Sequence, residues 1–152
     1  MCRQIRNFVP KPIHCEEQKL MKKRQITIEH ELKSNSENII WRFISTPEGL
    51  SKWLADEVTQ EGETMTFTWG ELWSHHEIRT ATLLEVVFHE LVKLRWDDDE
   101  DPEAYMELKV GKSDVTNEFM LTITDFAEEE DVEAMRDLWE DNLVRLRRTS
   151  GL

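Results

Sequence analysis

The chain has few cysteines, few basic residues and no long apolar run, and each scarcity excludes a class of protein. Its only cysteines are Cys2 and Cys15, so a disulfide framework is not expected and a reducing cytoplasm is the default location. No apolar run is long enough to span a membrane, and the first residues lack a signal-peptide hydrophobic region. Nineteen Lys and Arg against 32 Asp and Glu give a net charge of −13. That charge argues against binding to nucleic acid or to anionic membranes.

Residue patterns typical of catalytic or metal sites are equally scarce. No Ser-His-Asp arrangement, glycine-rich phosphate loop or cysteine nucleophile can be located, so no catalytic residue is assigned. Adjacent residues on a strand point to opposite faces, so His75 and His76 are not expected to share one metal ion with Glu77 or His89, and a turn or strand-edge position is preferred for them. The acidic run at residues 97–101 lacks the glycine and the spaced ligands of a calcium loop and is interpreted as a solvated hairpin. No metal or cofactor is therefore predicted.

Large apolar residues, by contrast, are plentiful. The 152 residues include six Trp and six Phe, enough for one domain with a substantial core. Residues 1–23 differ from the rest, because they hold both cysteines and their Lys and Arg outnumber their acids. A basic arm for an acidic partner is one interpretation. A flexible N-terminal extension, with Met21 as a natural start, is preferred, which places the domain at residues 24–149.

Residues 127–149 predict one long helix. Acidic residues at its start and arginines at its end suit the helix dipole, and Asp125 is a candidate N-cap. Apolar residues recur at three- and four-residue steps and form one stripe along it. The stripe consists of Val132, Met135, Trp139, Leu143 and Leu146. Nearly everything upstream alternates in the manner of strands, so we expect a sheet wrapped around this helix.

The alternating segments predict seven strands, at residues 25–32, 57–59, 64–69, 76–86, 91–96, 105–110 and 117–124. Ser36 and Thr46 are candidate caps of two short helices between residues 37 and 55. We interpret His30 as a core or rim histidine on the first strand. The strand arginines and lysine, Arg79, Lys93 and Arg95, are expected to pair outward with acids, although one turned inward could meet a ligand carboxylate. The order of elements predicts an α+β fold with a curved antiparallel sheet closed around the last helix.

Three stretches resemble a known superfamily. They are residues 40–53, with the pattern Thr-Pro-Glu-x-Leu-x-x-Trp, the strand sequence Leu94-Arg95-Trp96, and the Trp139 helix. Together they resemble the START-like (SRPBCC) helix-grip superfamily, and within it the domain related to the activator of the Hsp90 ATPase. The likeness covers residues 21–148. It implies a cavity between sheet and helix that members use for lipids, polyketides, hormones or other apolar ligands, in some members for catalysis and in others for contacts with a chaperone.

Bulky, adaptable side chains would line such a cavity. The candidate ligand-binding residues are Trp69, Trp96, Met106, Phe119, Met135 and Trp139. A pocket of useful size would hold about 300 Å³ or more, whereas a solid core of the same residues is the alternative. We predict a non-enzymatic domain that binds a small hydrophobic or amphipathic ligand. Two alternatives stay open: a protein-interaction or chaperone-cofactor module, and a cyclase- or hydrolase-type enzyme.

Overall fold

The computed structural model describes residues 22–70 and 76–152. Both cysteines and the predicted N-terminal extension lie outside these residues, apart from Lys22 and Lys23. The order of strand, two short helices, six strands and long helix is confirmed. The elements are β1 (Arg24–Glu31), α1 (Glu37–Ser45), α2 (Pro47–Leu50), β2 (Glu57–Glu61), β3 (Thr64–Gly70), β4 (His76–Val87), β5 (Leu91–Trp96), β6 (Met106–Lys112), β7 (Phe119–Ala127), a 3-10 turn (Glu129–Asp131) and α3 (Val132–Ser150).

The seven strands form one antiparallel sheet in the order β1-β7-β6-β5-β4-β3-β2. Cross-strand partners share a face, so the buried Leu94 lies beside Leu83 on β4 and Met106 on β6. A register shift in β4 between Leu83 and Glu85 interrupts the ladder, and such bulges increase the local bend of a strand. The predicted curved seven-stranded sheet is therefore confirmed.

Side-chain caps position the two short helices. The Ser36 hydroxyl accepts a hydrogen bond from the Ile39 N–H at 3.3 Å, which starts α1. Thr46 then joins the helices, because its hydroxyl donates to the Arg42 carbonyl at 2.6 Å and accepts from the Gly49 N–H at 3.0 Å. Both predicted caps are confirmed, and they place the inner side chains of the pair against one end of the core.

The long helix packs on the sheet through its predicted stripe. Trp139, Leu143 and Leu146 are buried, while the two residues nearer its start, Val132 and Met135, are half-buried. The helix ends at Gly151, whose φ of 80° is left-handed and whose N–H bonds the Arg147 carbonyl, a conformation in which glycine carries no Cβ penalty. Among the described residues, no helix is both long enough and apolar enough to cross a membrane.

The predicted N-cap at Asp125 is wrong. This residue belongs to β7, and a 3-10 turn separates it from α3. Inner positions of β7 recur every two residues, and Phe119, Leu121 and Ile123 occupy them. Asp125 is the next in that series, so strand alternation carries its side chain into the protein interior.

We expect a shortened chain that starts at Met21 to melt within a few degrees of the full chain. It keeps Lys23, whose backbone N–H donates to Asp101 at 2.9 Å and whose ammonium lies 3.2 Å from Asp99. A chain that starts at Gln25 loses both contacts and should melt at a lower temperature. Calorimetry of the three chains checks this, and loss of a cooperative transition in the Met21 chain would show that the first 20 residues belong to the fold.

Candidate functional site

A cavity of about 110 Å³ lies between the inner face of the sheet and α3. It sits where β3, β5 and β7 end and β4 begins, close to the loop between β5 and β6. The lining residues are Lys23, Leu54, Trp69, Arg79, Trp96, Asp99, Met106, Asp125, Phe126, Met135, Leu138, Trp139 and Asn142. The set combines an aromatic and aliphatic wall with a small number of charged groups.

Five of the six predicted ligand-binding residues line this cavity, and Phe119 does not. Phe119 begins β7, whereas Asp125 lies six residues further along the same strand. At about 3.3 Å per residue the two positions are roughly 20 Å apart. Phe119 is instead buried beneath the Lys112 ammonium, which lies 5.2 Å from its ring centre. Ligand binding by the other five residues stays a prediction.

This cavity, at about 110 Å³, is smaller than the roughly 300 Å³ expected of a ligand pocket. Large aromatic side chains pack between the helix and the sheet. Trp53 and Phe67 are completely buried, and Trp139 is 3% exposed. The remaining volume suits a small ligand, or one end of a larger one.

Two indole rings, those of Trp69 and Trp96, line the sheet side of the cavity, and the Phe67 ring packs against both. The ring of Phe67 lies 5.1 Å from Trp96 and 6.1 Å from Trp69, and the two indoles are 6.2 Å apart. The Trp69 indole N–H donates to the Leu54 carbonyl at 3.0 Å, which fixes the orientation of that ring. Packed rings of this kind give a rigid apolar wall.

Asp125 is the buried polar group of the cavity and is 7% exposed. Its Oδ1 accepts the Phe126 backbone N–H and its Oδ2 accepts the Trp139 indole N–H, both at 2.8 Å. Burial raises the pKa of this carboxyl, and the Trp139 hydrogen bond opposes that rise. Within the described residues, no Lys, Arg or His forms an ion pair with it. The carboxyl therefore retains capacity for a further hydrogen bond.

Two cations line the edge of the cavity, and each is paired with an acid: Lys23 with Asp99, and Arg79 with Asp98. Arg79 holds Asp98 through two hydrogen bonds of 2.8 and 3.2 Å and covers the Trp96 ring at 4.3 Å. The hydrogen bond from Arg79 lowers the pKa of Asp98. Arg79 takes the inward orientation that the sequence leaves open for one strand cation, because Ala81, two residues further along β4, pairs with Trp96 on the inner face. Alternation places Arg79 on the same face as Ala81.

The interpretation of residues 97–101 as a solvated hairpin is wrong for Asp101, which is 4% exposed. Its carboxylate accepts the backbone N–H groups of Lys23 and Glu103, both at 2.9 Å. The Arg95 guanidinium donates to the carbonyls of Asp99, Asp101 and Ala104 at 3.1, 2.8 and 3.0 Å. These bonds hold the loop that contributes Asp99 to the cavity.

The histidines that the structure describes lie away from the cavity. His30 is half-buried at a rim, where its Nε2 is 3.2 Å from the Leu152 carbonyl and burial lowers its pKa. His75 lies outside the described residues, while His76 and His89 lie at opposite ends of the twelve-residue β4. His89 follows that strand and contacts Asn38 at 3.0 Å. His76 and His89 therefore cannot share a ligand.

Asp125 should make the folded chain less stable as the pH rises. Because burial raises its pKa, the folded chain retains a proton that the unfolded chain releases near pH 3.9, roughly the ordinary value for Asp. This stabilisation is complete below the unfolded pKa and is lost as the pH rises through the folded pKa. Asp98 and Asp101 have lowered pKa values, so the stability that they contribute is lost as the pH falls rather than as it rises.

Urea unfolding of the wild type and of Asp125→Asn, at pH values from about 4 to about 8, isolates this effect, since Asp98 and Asp101 are common to both proteins. The stability of the wild type relative to the variant should decrease as the pH rises. A difference that is constant with pH would contradict the raised pKa.

A curved antiparallel sheet that grips a long C-terminal helix, with two short helices after the first strand, defines the helix-grip class of α+β domains. The chain belongs to the START-like superfamily, because the family model of the START-like superfamily domain matches residues 20–151. The resemblance noted from the sequence is therefore confirmed. No curated protein matches the chain.

Solved structures agree with this assignment. A protein from Bacteroides fragilis, solved by NMR, is 37% identical, with a TM-score of 0.56, 84% of this chain covered and 91% of that chain covered. The AHSA1-like protein from Aeromonas hydrophila is 15% identical, with a TM-score of 0.65 and coverage of 83% and 91%. The Aha1 dimer from Colwellia psychrerythraea is 16% identical, with a TM-score of 0.59 and coverage of 81% and 92%. The last two likenesses concern the fold alone.

Proposed function

We propose that this chain is a non-enzymatic START-like domain that binds a small hydrophobic or amphipathic ligand between the sheet and α3. The observation that supports this most strongly is the combination of an aromatic wall with one buried carboxyl that lacks an ion pair. The wall, formed by Trp69 and Trp96, would take the apolar part of the ligand, and Asp125 would orient its polar end.

The volume limits what the cavity holds. An apolar cavity of about 150 Å³ accommodates benzene, so about 110 Å³ accommodates a slightly smaller group, such as a short alkyl chain. Two lining residues on α3 can enlarge the space. Met135 has an adaptable, unbranched side chain, and Leu138 is 54% exposed although it lines the cavity. A longer ligand would extend past these residues toward solvent.

The enzyme alternative rests on Asp125 alone. Its raised pKa suits a general acid or base, but the lining residues that the structure describes include no Ser, Thr, Tyr, Cys or His. Binding is therefore the better supported function.

Tryptophan fluorescence should respond to short-chain alcohols, because Trp69, Trp96 and Trp139 all line the cavity. We expect a saturable change at one site per chain. Met135→Trp should abolish the change by filling the cavity. Ala134→Trp is the matched control, since it adds the same fluorophore at an exposed position of the same helix and should leave binding intact. A response that is linear with probe concentration, or equal in both variants, would contradict the proposal.

A protein-interaction role is the second candidate, and an exposed apolar side chain favours it. Phe88, in the turn after β4, is 68% exposed and packs edge-on against Trp41 of α1 at 5.8 Å. Single exposed apolar residues are common, so this observation weighs less than the cavity. Variants separate the two roles. Met135→Trp should remove ligand binding and leave the Phe88 surface intact, and Phe88→Ser should do the reverse.

A further inference from the structure

We infer that the cavity selects a small organic cation, a protonated primary amine whose ammonium bonds Asp125 and whose alkyl part lies against Trp69 and Trp96. This inference rests on the proposed ligand-binding function and specifies the chemical class of its ligand. The inference follows from the unfilled hydrogen-bond acceptors of Asp125 and from the aromatic rings and charged groups that line the cavity.

Asp125 has an unfilled requirement for a donor. A buried carboxylate is costly unless it is paired or fully hydrogen-bonded. Two carboxylate oxygens offer about four acceptor sites, and the N–H groups of Phe126 and Trp139 fill two of them. The remaining acceptors belong to a residue that lines the cavity. An ammonium group carries three donors and a positive charge, so it satisfies both the hydrogen bonding and the charge of this carboxyl.

The aromatic wall suits a cation as well. Indole faces attract cations through their electron-rich π systems. The guanidinium of Arg79 already lies over the Trp96 ring, 4.3 Å from its centre, which demonstrates that this ring accepts a cation on one face. Trp69 is packed beside Trp96 and also lines the cavity. A short alkylammonium can therefore bond Asp125 without repulsion from the neighbouring indoles, and its methylenes can pack along the indole surfaces.

The charges of Arg79 and Lys23 reach Asp125, and the acids paired with these two cations offset them. Arg79 and Lys23 are the two cations that line the cavity, and each is paired with an acid, Asp98 at 2.8 Å and Asp99 at 3.2 Å. The net charge of −13 favours the approach of cations from solution. A carboxylate ligand would instead meet Asp125 inside and would have to displace Asp98 or Asp99 at the edge.

Three ligands of similar size test the inference: n-butylammonium, 1-butanol and butyrate, titrated at pH 7 and constant ionic strength by two-dimensional NMR. An aliphatic amine remains protonated there, since its pKa is near that of Lys, about 10.4. We expect n-butylammonium to bind at least about tenfold more tightly than 1-butanol, as a charge-assisted hydrogen bond exceeds a neutral one. Butyrate should bind most weakly.

Two variants identify the origin of the preference. Asp125→Asn should bind n-butylammonium and 1-butanol with similar affinity. Asp137→Asn removes an equal charge from an exposed position of α3 that does not line the cavity, and should retain the preference. Should Asp125→Asn fail to fold, lowering the pH of the wild type protonates Asp125 and should remove the preference without a mutation.

The outcomes separate this inference from the proposed function. Tighter or equal binding of 1-butanol in the wild type would overturn the amine preference and leave a binding cavity in place. The same preference in wild type and Asp125→Asn would overturn the role of the carboxyl. Absence of saturable binding by all three ligands, in a protein whose spectrum is that of a folded chain, would overturn both proposals.

Discussion

Replacing Trp139 with Ala should lower the free energy of unfolding by about 3–5 kcal/mol. Trp139 is 3% exposed, and its ring lies 6.2 Å from that of Trp53, which joins α3 to the segment after α2. Its indole N–H is also a hydrogen-bond donor to Asp125, at 2.8 Å. The variant therefore loses buried aromatic surface and leaves a buried carboxyl with one donor fewer. Urea unfolding of both proteins measures the difference.

One variant isolates the contribution of the hydrogen bond, and a second serves as the control. Trp139→Phe keeps an aromatic ring and removes the donor to Asp125, which should cost about 1–3 kcal/mol. Val144→Ala, on the same helix at a position 55% exposed, should change stability by less than about 0.5 kcal/mol. A loss below about 1 kcal/mol for Trp139→Ala would show that this side chain does not anchor the helix.

Gly49→Ala should cost at least about 2 kcal/mol, because the position has no room for a methyl group. A Cβ placed on Gly49 would overlap the Arg42 carbonyl oxygen and lie 2.6 Å from the Phe43 Cα. Both are backbone atoms of α1, so relief requires α1 and α2 to separate. That movement would also strain the hydrogen bond from the Gly49 N–H to Thr46.

Gly111→Ala is the control for this prediction. A Cβ at Gly111 meets no atom within 4 Å, and its stability should stay close to that of the wild type, since a compatible Gly-to-Ala change costs little or stabilises slightly. Thermal unfolding of the two variants measures both effects. Equal melting temperatures would contradict the tight packing of α1 on α2.

Local signals in the sequence were sufficient for the architecture. Period-two alternation identified the strands because each presents one face to the core, and the hydroxyls of Ser36 and Thr46 identified the helix starts because capping is a contact between near neighbours. Position 49 shows a feature that local sequence signals do not predict. It is an unspecified position in the Thr-Pro-Glu-x-Leu-x-x-Trp pattern, yet only its environment in the fold reveals that glycine is required.

The site was harder to predict, because it depends on contacts between distant elements. Asp125 precedes an acidic stretch, which favours an N-cap interpretation, and only the continued alternation of β7 indicates that it points inward. Phe119 lies on the inner face of β7, as predicted, but too far along the strand from the cavity. Periodicity specifies which face of a strand a residue occupies, but not where along the strand a cavity lies. Likewise, the buried Asp101 carboxylate accepts a hydrogen bond from the backbone N–H of Lys23, which lies 78 residues earlier in the chain.

The Trp139 indole N–H resonance offers the most direct test of ligand binding in the cavity. This proton lies in the hydrogen bond to Asp125, and both residues line the cavity. Comparison with Trp139→Phe assigns its signal in a ¹⁵N spectrum. During titration with 1-butanol or n-butylammonium, the signal should move saturably to a one-to-one endpoint, and the movement should be absent in Met135→Trp. A signal that stays in place in the folded wild type, up to concentrations at which other resonances shift, would contradict binding between the sheet and the long helix.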